Sequence, residues 1–160
     1  KQISQARVIG NPEFALDWAS NLSEQVDILI GAYGSNAFSS LAQLQAEILL
    51  EKLRISRDKL VKETAISFTQ PMVERVQLLA KGIKNTDLIG QSYFALGGAY
   101  YIAEQYDMAL KVFKQAFDLV KNDDHKLEIL RGIALSYAYL GNKKDVMFTG
   151  EEINNRIKLF

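Results

Sequence analysis

Apolar side chains recur at three- and four-residue steps along almost the whole chain, which is the spacing of one face of an α-helix. The first example begins at Asn11-Pro12-Glu13, where Asn is a favoured cap, Pro fits the first turn and Glu favours the positive end of the helix dipole. The apolar positions that follow predict a helix to about Ile30; they are Phe14, Ala15, Trp18, Ala19, Leu22, Val26 and Leu29. With 2 prolines, 10 glycines and little strand-like alternation, the sequence predicts an all-α chain.

Three further helices are predicted before the central part of the chain. A glycine-rich segment, GAYGSN, interrupts the first pattern, and Ser35 or Asn36 can cap a second helix. The broad apolar surface of this helix predicts that it is covered on more than one side; it comprises Phe38, Leu41, Ala42, Ile48, Leu49 and Leu53. Ser56 or Asp58 is the predicted start of a shorter third helix. Pro71 predicts the start of a fourth helix, because proline fits the first turn of a helix and disfavours helix at the residue before it.

The clearest pattern lies in residues 90–123, where two amphipathic helices are predicted on either side of Gln105-Tyr106-Asp107. Their characteristic positions are Tyr93, Leu96, Gly97 and Tyr100 on the first helix and Ala109, Phe113 and Ala116 on the second. The small residues allow two helix backbones to approach closely, and the aromatic rings fill the space around the contact. This order and spacing resembles one complete tetratricopeptide repeat, which is a pair of antiparallel helices.

A second, degenerate repeat is predicted at about residues 127–160, where Ala134 and Tyr137 correspond to Gly97 and Tyr100. The last helix departs from the pattern, as an atypical end unit of a stack does; it carries Val146, Gly150 and Ile153 at the corresponding positions.

Together with weaker helix pairs at residues 11–84, the resemblance implies one domain over residues 1–160. It implies antiparallel helix pairs stacked as a short right-handed superhelix, an α-solenoid.

The resemblance also implies where a ligand binds, because the first helix of each pair lines the concave groove in tetratricopeptide arrays. The groove-facing candidates are Gln91, Phe94, Gly98 and Tyr101 in the central pair and Glu128, Arg131, Leu135 and Tyr139 in the degenerate pair. Gln91 and Arg131 offer donors for a peptide backbone or a carboxylate, and Phe94 and Tyr101 offer apolar contact. For each candidate the alternative is a solvated or helix-packing role.

The charge balance and the residue types limit the partners. The 19 Lys and Arg residues equal the 19 Asp and Glu residues, so the sequence lacks a basic excess of the kind that neutralises a phosphate backbone, and we expect no direct nucleic-acid binding. Zero cysteines exclude a disulfide framework, a thiolate zinc site and a cysteine nucleophile. No stretch approaches the about 20 apolar residues that span a bilayer. For this reason, and because the first residue is Lys1 rather than Met, we expect a soluble segment of a longer protein. A cytoplasmic location is the expectation that accompanies the resemblance.

No catalytic or metal-binding motif is recognisable in the sequence. The single histidine, His125, stands beside two aspartates at a predicted helix start and is expected to be a solvated surface residue. Ser56 and Lys59 match an S-x-x-K string, but the accompanying S-D-N and K-T-G elements are missing, and a helix cap is the better interpretation of Ser56. Glu151 and Glu152 point about 100° apart on a helix. We therefore expect no enzyme activity, no cofactor and no metal.

The leading hypothesis is a non-catalytic module that binds a protein or a short peptide in its concave groove. Degenerate repeats with apolar groove positions are also similar to the sensor parts of bacterial cytoplasmic regulators that bind signalling peptides. The main alternative is a self-assembly module in which Phe148 and Phe160 of the last helix pair with a second copy. An all-helical enzyme without a familiar motif is the least favoured alternative.

Overall fold

The computed structural model of the protein describes residues 11–33 and 38–158, and within these ranges it contains seven α-helices and no strand. The helices are α1 (Pro12–Tyr33), α2 (Phe38–Ser56), α3 (Ala65–Gly82), α4 (Thr86–Ile102), α5 (Tyr106–Leu119), α6 (Asp123–Tyr139) and α7 (Lys143–Ile157). A 3-10 helix, Arg57–Lys59, directly follows α2. The all-α prediction is confirmed for the described part of the chain. The predicted cap at Ser35 or Asn36 lies outside it.

The helices pack mainly in chain order, each against the next from α1 to α7. In addition, α2 contacts α4 and α4 contacts α6. These three helices therefore lie side by side, and they form the face of the molecule on which the candidate site is found.

Asparagine side chains begin four of the helices. Asn11 Oδ1 accepts a hydrogen bond from Phe14 N at 3.2 Å, which confirms the predicted start of α1. The side chains of Asn85, Asn122 and Asn142 cap α4, α6 and α7 in the same way. Each side chain satisfies one backbone N–H that has no partner within its helix.

Three helices end in the same left-handed turn. The turn residues are Lys84 after α3, Glu104 after α4 and Gly141 after α6, with φ of 56°, 60° and 75°. In each case the following amide bonds back to the carbonyl five residues earlier; the first of these bonds, from Asn85 N to Ala80 O, is 2.9 Å long. This is the Schellman arrangement, in which glycine is preferred at the left-handed position. The Gly141-Asn142 pair in the sequence is typical of such a left-handed helix end, and Gly141 adopts it.

The prediction of separate helices around Pro71 is wrong. Ser56 is the buried last residue of α2, and a single helix, α3, runs through Pro71 without a break. The missing proline N–H removes one helical bond. Buried side chains on both sides of the proline nevertheless pack α3 as one unit; they are Ala65, Thr69, Val73, Val76, Leu79 and Ala80. Tertiary packing therefore outweighs the local preference.

The aromatic ring of Phe113 in α5 is inserted between α4 and α6. A Cβ built on Gly97 of α4 would lie 2.5 Å from Phe113 Cδ1, and one on Gly132 of α6 would lie 2.8 Å from Cε2 of the same ring. Both glycines are required by this close approach, because real Cβ atoms are not found at such distances. The predicted contact between Gly97 and the second helix of the central pair is confirmed, and Ala109 and Ala116 are fully buried beside it.

The two ends of the helix series are less fully packed than the predicted stripes suggested. In α1, Ala15, Ala19 and Val26 are buried, whereas Phe14, Trp18 and Leu29 are exposed. In α7, the buried residue is Thr149, and Ile153 packs against the core only in part. In the described chain each end helix packs mainly against a single neighbouring helix, α1 against α2 and α7 against α6.

Candidate ligand-binding site

A cavity of about 300 Å³ opens between α2 and α4. Its lining from α2 and the segment after it comprises Leu50, Leu53, Arg54, Arg57 and Leu60. The lining from the other helices comprises Thr69, Gln91, Phe94, Ala95, Gly98, Ala99, Tyr101, Ile102, Phe113 and Leu135. Five of the eight groove positions indicated by the sequence thus surround one cavity: Gln91, Phe94, Gly98, Tyr101 and Leu135.

Adjacent glycines of α4 give this wall its shape. Gly97 faces Phe113, whereas a Cβ on Gly98 would meet no described atom within 4 Å. Phe94, one turn earlier, packs its ring 5.9 Å from the Phe113 ring, centroid to centroid. The Phe113 ring therefore both holds α4 in place and forms part of the cavity lining.

Arg54 of α2 connects the three helices of this face. Its Nη2 donates to Gln91 Oε1 of α4 at 2.8 Å and lies 3.3 Å from His125 Nε2 of α6. Its Nη1 donates to Glu51 Oε2 at 3.2 Å. Gln91 in turn donates to Asp87 Oδ2 at 2.8 Å. Gln91 is thus already engaged in positioning the guanidinium group, in addition to lining the cavity.

A second cavity, of about 470 Å³, adjoins the first and shares Leu50, Arg54 and Gln91 with it. Its polar lining is different and includes Gln43, Glu47, Glu51, Asn85, Asp87 and His125. The two cavities together form a groove that is apolar toward the C-terminal ends of α2 and α4 and polar toward the N-terminal end of α4. Arg54 lies between the two parts.

Three tyrosines from α4, α5 and α6 form a cluster beside the apolar cavity. Tyr106 and Tyr139 stack with ring centroids 4.5 Å apart, and Tyr101 meets them edge-on at 5.5 and 5.7 Å. Burial raises the pKa of Tyr101 to about 12, and its hydrogen bond with the Tyr139 hydroxyl acts in the same direction. Burial also raises the pKa of Tyr106, with a smaller effect from the Glu104 carboxylate.

An exposed ion pair borders the tyrosine cluster. Lys62 donates to Glu104, and this hydrogen bond raises the pKa of the lysine. The pair joins the segment before α3 to the turn after α4, next to Tyr106.

The other groove candidates occupy different surroundings. Tyr139 is 60% exposed and belongs to the tyrosine cluster. Glu128 and Arg131 are exposed on α6 and line neither of the two cavities. Their participation in binding stays a prediction.

His125 is not the solvated surface residue that its neighbours in sequence indicated. It is half-buried, it contacts Arg54, and its Nδ1 is buried without a hydrogen-bond partner among the described residues. The sequence could not place it, because this contact joins residues 71 positions apart. Arg54 of α2 and Arg57 of the following 3-10 helix also line the apolar cavity but were not predicted, because the repeat pattern that indicated groove positions is weak before residue 85.

No group of three or more His, Cys, Asp or Glu side chains in the described ranges could hold a metal ion. No helix within those ranges is long and apolar enough to cross a bilayer. Comparison of the chain with protein-family models, with curated proteins and with solved structures gives no match.

Proposed function

We propose that this chain is a non-catalytic module that binds a peptide or an extended protein segment on the face formed by α2, α4 and α6. The observation that carries the proposal is the apolar cavity of about 300 Å³ around Phe94, Gly98 and Tyr101. Ligand sites are commonly concave, mostly apolar and provided with a few polar groups, and this cavity has that composition. Its continuation into a polar groove suits an extended ligand with a hydrogen-bonding main chain.

The helix order suggests how the module is built. In our proposal the pairs α2–α3, α4–α5 and α6–α7 are tetratricopeptide-like units of one domain, stacked as a right-handed superhelix with α2, α4 and α6 on the concave side. The contacts of α4 with both α2 and α6 support this arrangement. Small rotations between stacked pairs change the curvature of such a surface, so bound peptide could be sensed by a flanking domain. A sensor or scaffold part of a larger cytoplasmic protein, such as a bacterial peptide-sensing regulator, is the role we favour.

A substitution that fills the cavity tests the proposal directly. Gly98→Leu places a large side chain where a Cβ meets no described atom within 4 Å, so it should block the cavity without breaking the fold. Gly31→Leu is the matched control, because Gly31 is also helical and equally open but lies on α1. The measurement is affinity selection from a pool of synthetic peptides with free ends, with the bound fraction identified by mass spectrometry.

The proposal predicts that the native chain and Gly31→Leu retain the same peptides and that Gly98→Leu loses them. Circular dichroism of all three proteins establishes that they are folded. Equal retention by the three proteins, or retention of no peptide by any of them, would overturn the proposal.

Self-assembly through α7 is the second candidate function. Met147 and Phe148 are 70% and 68% exposed, and Ile157 of the same helix is 56% exposed. Large apolar side chains exposed together mark interaction surfaces. Phe160, the other residue indicated by the sequence, lies outside the described residues. Light scattering over a hundredfold range of concentration should show a dimer that Phe148→Glu abolishes, whereas a constant monomer mass would exclude this function.

A further inference from the structure

The apolar cavity carries positive charge at one end. Arg54 and Arg57 both line it, and no Asp or Glu occurs among its described lining residues. Arg54 is held by Glu51 and Gln91, whereas Arg57 Nε is 3.7 Å from Asp58, longer than a hydrogen bond. Guanidinium donors of Arg57 are therefore left for a ligand. An apolar cavity with two guanidinium groups suits an apolar group that carries a carboxylate.

A buried hydroxyl supports a polar ligand atom in the same place. Thr69 of α3 lines the cavity, is 2% exposed, and has no described hydrogen-bond partner for its Oγ1. Buried polar groups in folded proteins are almost always hydrogen-bonded. A ligand oxygen or amide in the cavity would supply the missing partner.

The adjoining polar cavity has the opposite charge character. Glu47, Glu51 and Asp87 line it together with amide side chains, and Arg54 is the cation at its junction with the apolar cavity. A ligand that extends from the apolar cavity into the polar one therefore passes from guanidinium groups to carboxylates. A ligand that is complementary in charge to both cavities has an anionic end in the apolar cavity and basic or amide groups in the polar one.

We infer that the groove binds the C-terminal end of a peptide whose last residue is apolar and whose preceding residues are basic. The last side chain occupies the cavity beside Phe94 and Gly98, and its α-carboxylate is bound by Arg54 and Arg57. The main chain and the basic side chains lie along Glu47 and Asp87. The inference rests on the proposed function, because it specifies the peptide class that the same site accepts.

The test uses paired synthetic peptides that end in Lys-Lys-Gly-Leu, one with a free carboxylate and one with a C-terminal amide. Binding of each fluorescein-labelled peptide is measured by fluorescence anisotropy. The free acid should bind at least tenfold more tightly than the amide, because a hydrogen bond to a charged group is worth about a tenfold change or more in affinity. A third peptide with Glu-Glu in place of Lys-Lys should also bind more weakly.

Protein variants identify the groups involved. Arg57→Gln should weaken the free acid about tenfold and leave the amide unchanged, since it removes only the contact with the carboxylate. Arg75→Gln is the matched control, because Arg75 is an exposed arginine of α3 that pairs with Asp27 outside both cavities. Arg54→Gln should have the same effect as Arg57→Gln, provided that circular dichroism shows a native helix content.

The outcomes separate this inference from the proposed function. If selected peptides bind but their affinity is unaffected by amidation or by Arg57→Gln, the inference is overturned and peptide binding stands. If decanoate binds and displaces the peptide while no peptide pool shows a preference for a free C-terminus, the cavity is a site for free aliphatic acids, and the inference is again overturned. If no peptide binds, both proposals fail.

Discussion

The most direct test of the packing is Gly97→Ala. A methyl group at this position would be 2.5 Å from Phe113 Cδ1 and 2.7 Å from Cε1. The ring cannot simply move away, because Gly132 of α6 approaches its other edge, where a Cβ would be 2.8 Å from Cζ. We therefore expect Gly97→Ala to force α4 or α5 out of position.

Two opposing effects determine how much Gly97→Ala changes the free energy of unfolding. Overpacking a well-packed core costs about 1–3 kcal/mol. Replacing glycine by alanine within a helix stabilises it by about 0.5–1 kcal/mol. At Gly98 only the second effect operates, since a Cβ there meets no described atom within 4 Å. The difference in unfolding free energy between Gly97→Ala and Gly98→Ala therefore isolates the steric cost, and we expect it to be about 1–3 kcal/mol.

Urea unfolding followed by circular dichroism at 222 nm measures this difference. Gly98→Ala should unfold at a higher urea concentration than the native chain, and Gly97→Ala should unfold at a lower concentration than Gly98→Ala. The melting temperatures should differ by about 2–4 °C per kcal/mol for a chain of this size. Combining Gly97→Ala with Phe113→Leu should recover part of the loss through a favourable coupling between neighbours. Equal midpoints for the two alanine variants would refute the contact between Gly97 and Phe113.

Three further predictions concern the turns, the caps and the tyrosines. Lys84→Gly should raise the unfolding free energy by up to about 1 kcal/mol, because Lys84 has φ 56° at an exposed left-handed position; a lower urea midpoint would contradict this. Asn85→Ala should lower the unfolding free energy by about 0.5–2 kcal/mol, because Leu88 N loses its hydrogen bond; an unchanged midpoint would exclude the cap. Absorbance titration at 295 nm should show a tyrosine that ionises near pH 12 and disappears in Tyr101→Phe. Since the folded pKa of Tyr101 is raised above its unfolded value of 10.0, its contribution to stability is complete below pH 10 and is lost as the pH rises to about 12; an ordinary titration would refute the described surroundings.

Local rules accounted well for the helix ends and for the central pair. Asn11 begins α1 as the capping preference of asparagine predicts, and Gly141 adopts the left-handed conformation that glycine favours. These features depend on a few neighbouring residues, so the sequence alone is sufficient for them. The prediction of a helix start at Pro71 was wrong for the opposite reason. Buried contacts that α3 makes with other parts of the chain outweigh the local effect of the proline.

The candidate site was predictable only where the repeat pattern was clear. Phe94, Gly98 and Tyr101 follow the pattern of α4, and they do line the cavity. The contact of Arg54 with His125 depends instead on how α2 and α6 approach α4, and no local pattern encodes that distance. For the same reason the charged end of the cavity, with Arg57, could not be recognised before the helices were placed in space.

The insertion of Phe113 between two glycines has a mechanical consequence for the groove. The Phe113 ring holds α4 and α6 at a fixed spacing, because rotation of one helix against the other would compress the ring between Gly97 and Gly132. The junction of α2 with α4 at the groove is different, since Arg54 and Gln91 meet there through a hydrogen bond between side chains that can lengthen or re-form. We therefore expect the α4–α6 half of the wall to move as a rigid block, so that a ligand that widens or narrows the groove displaces α1 and α2 relative to that block.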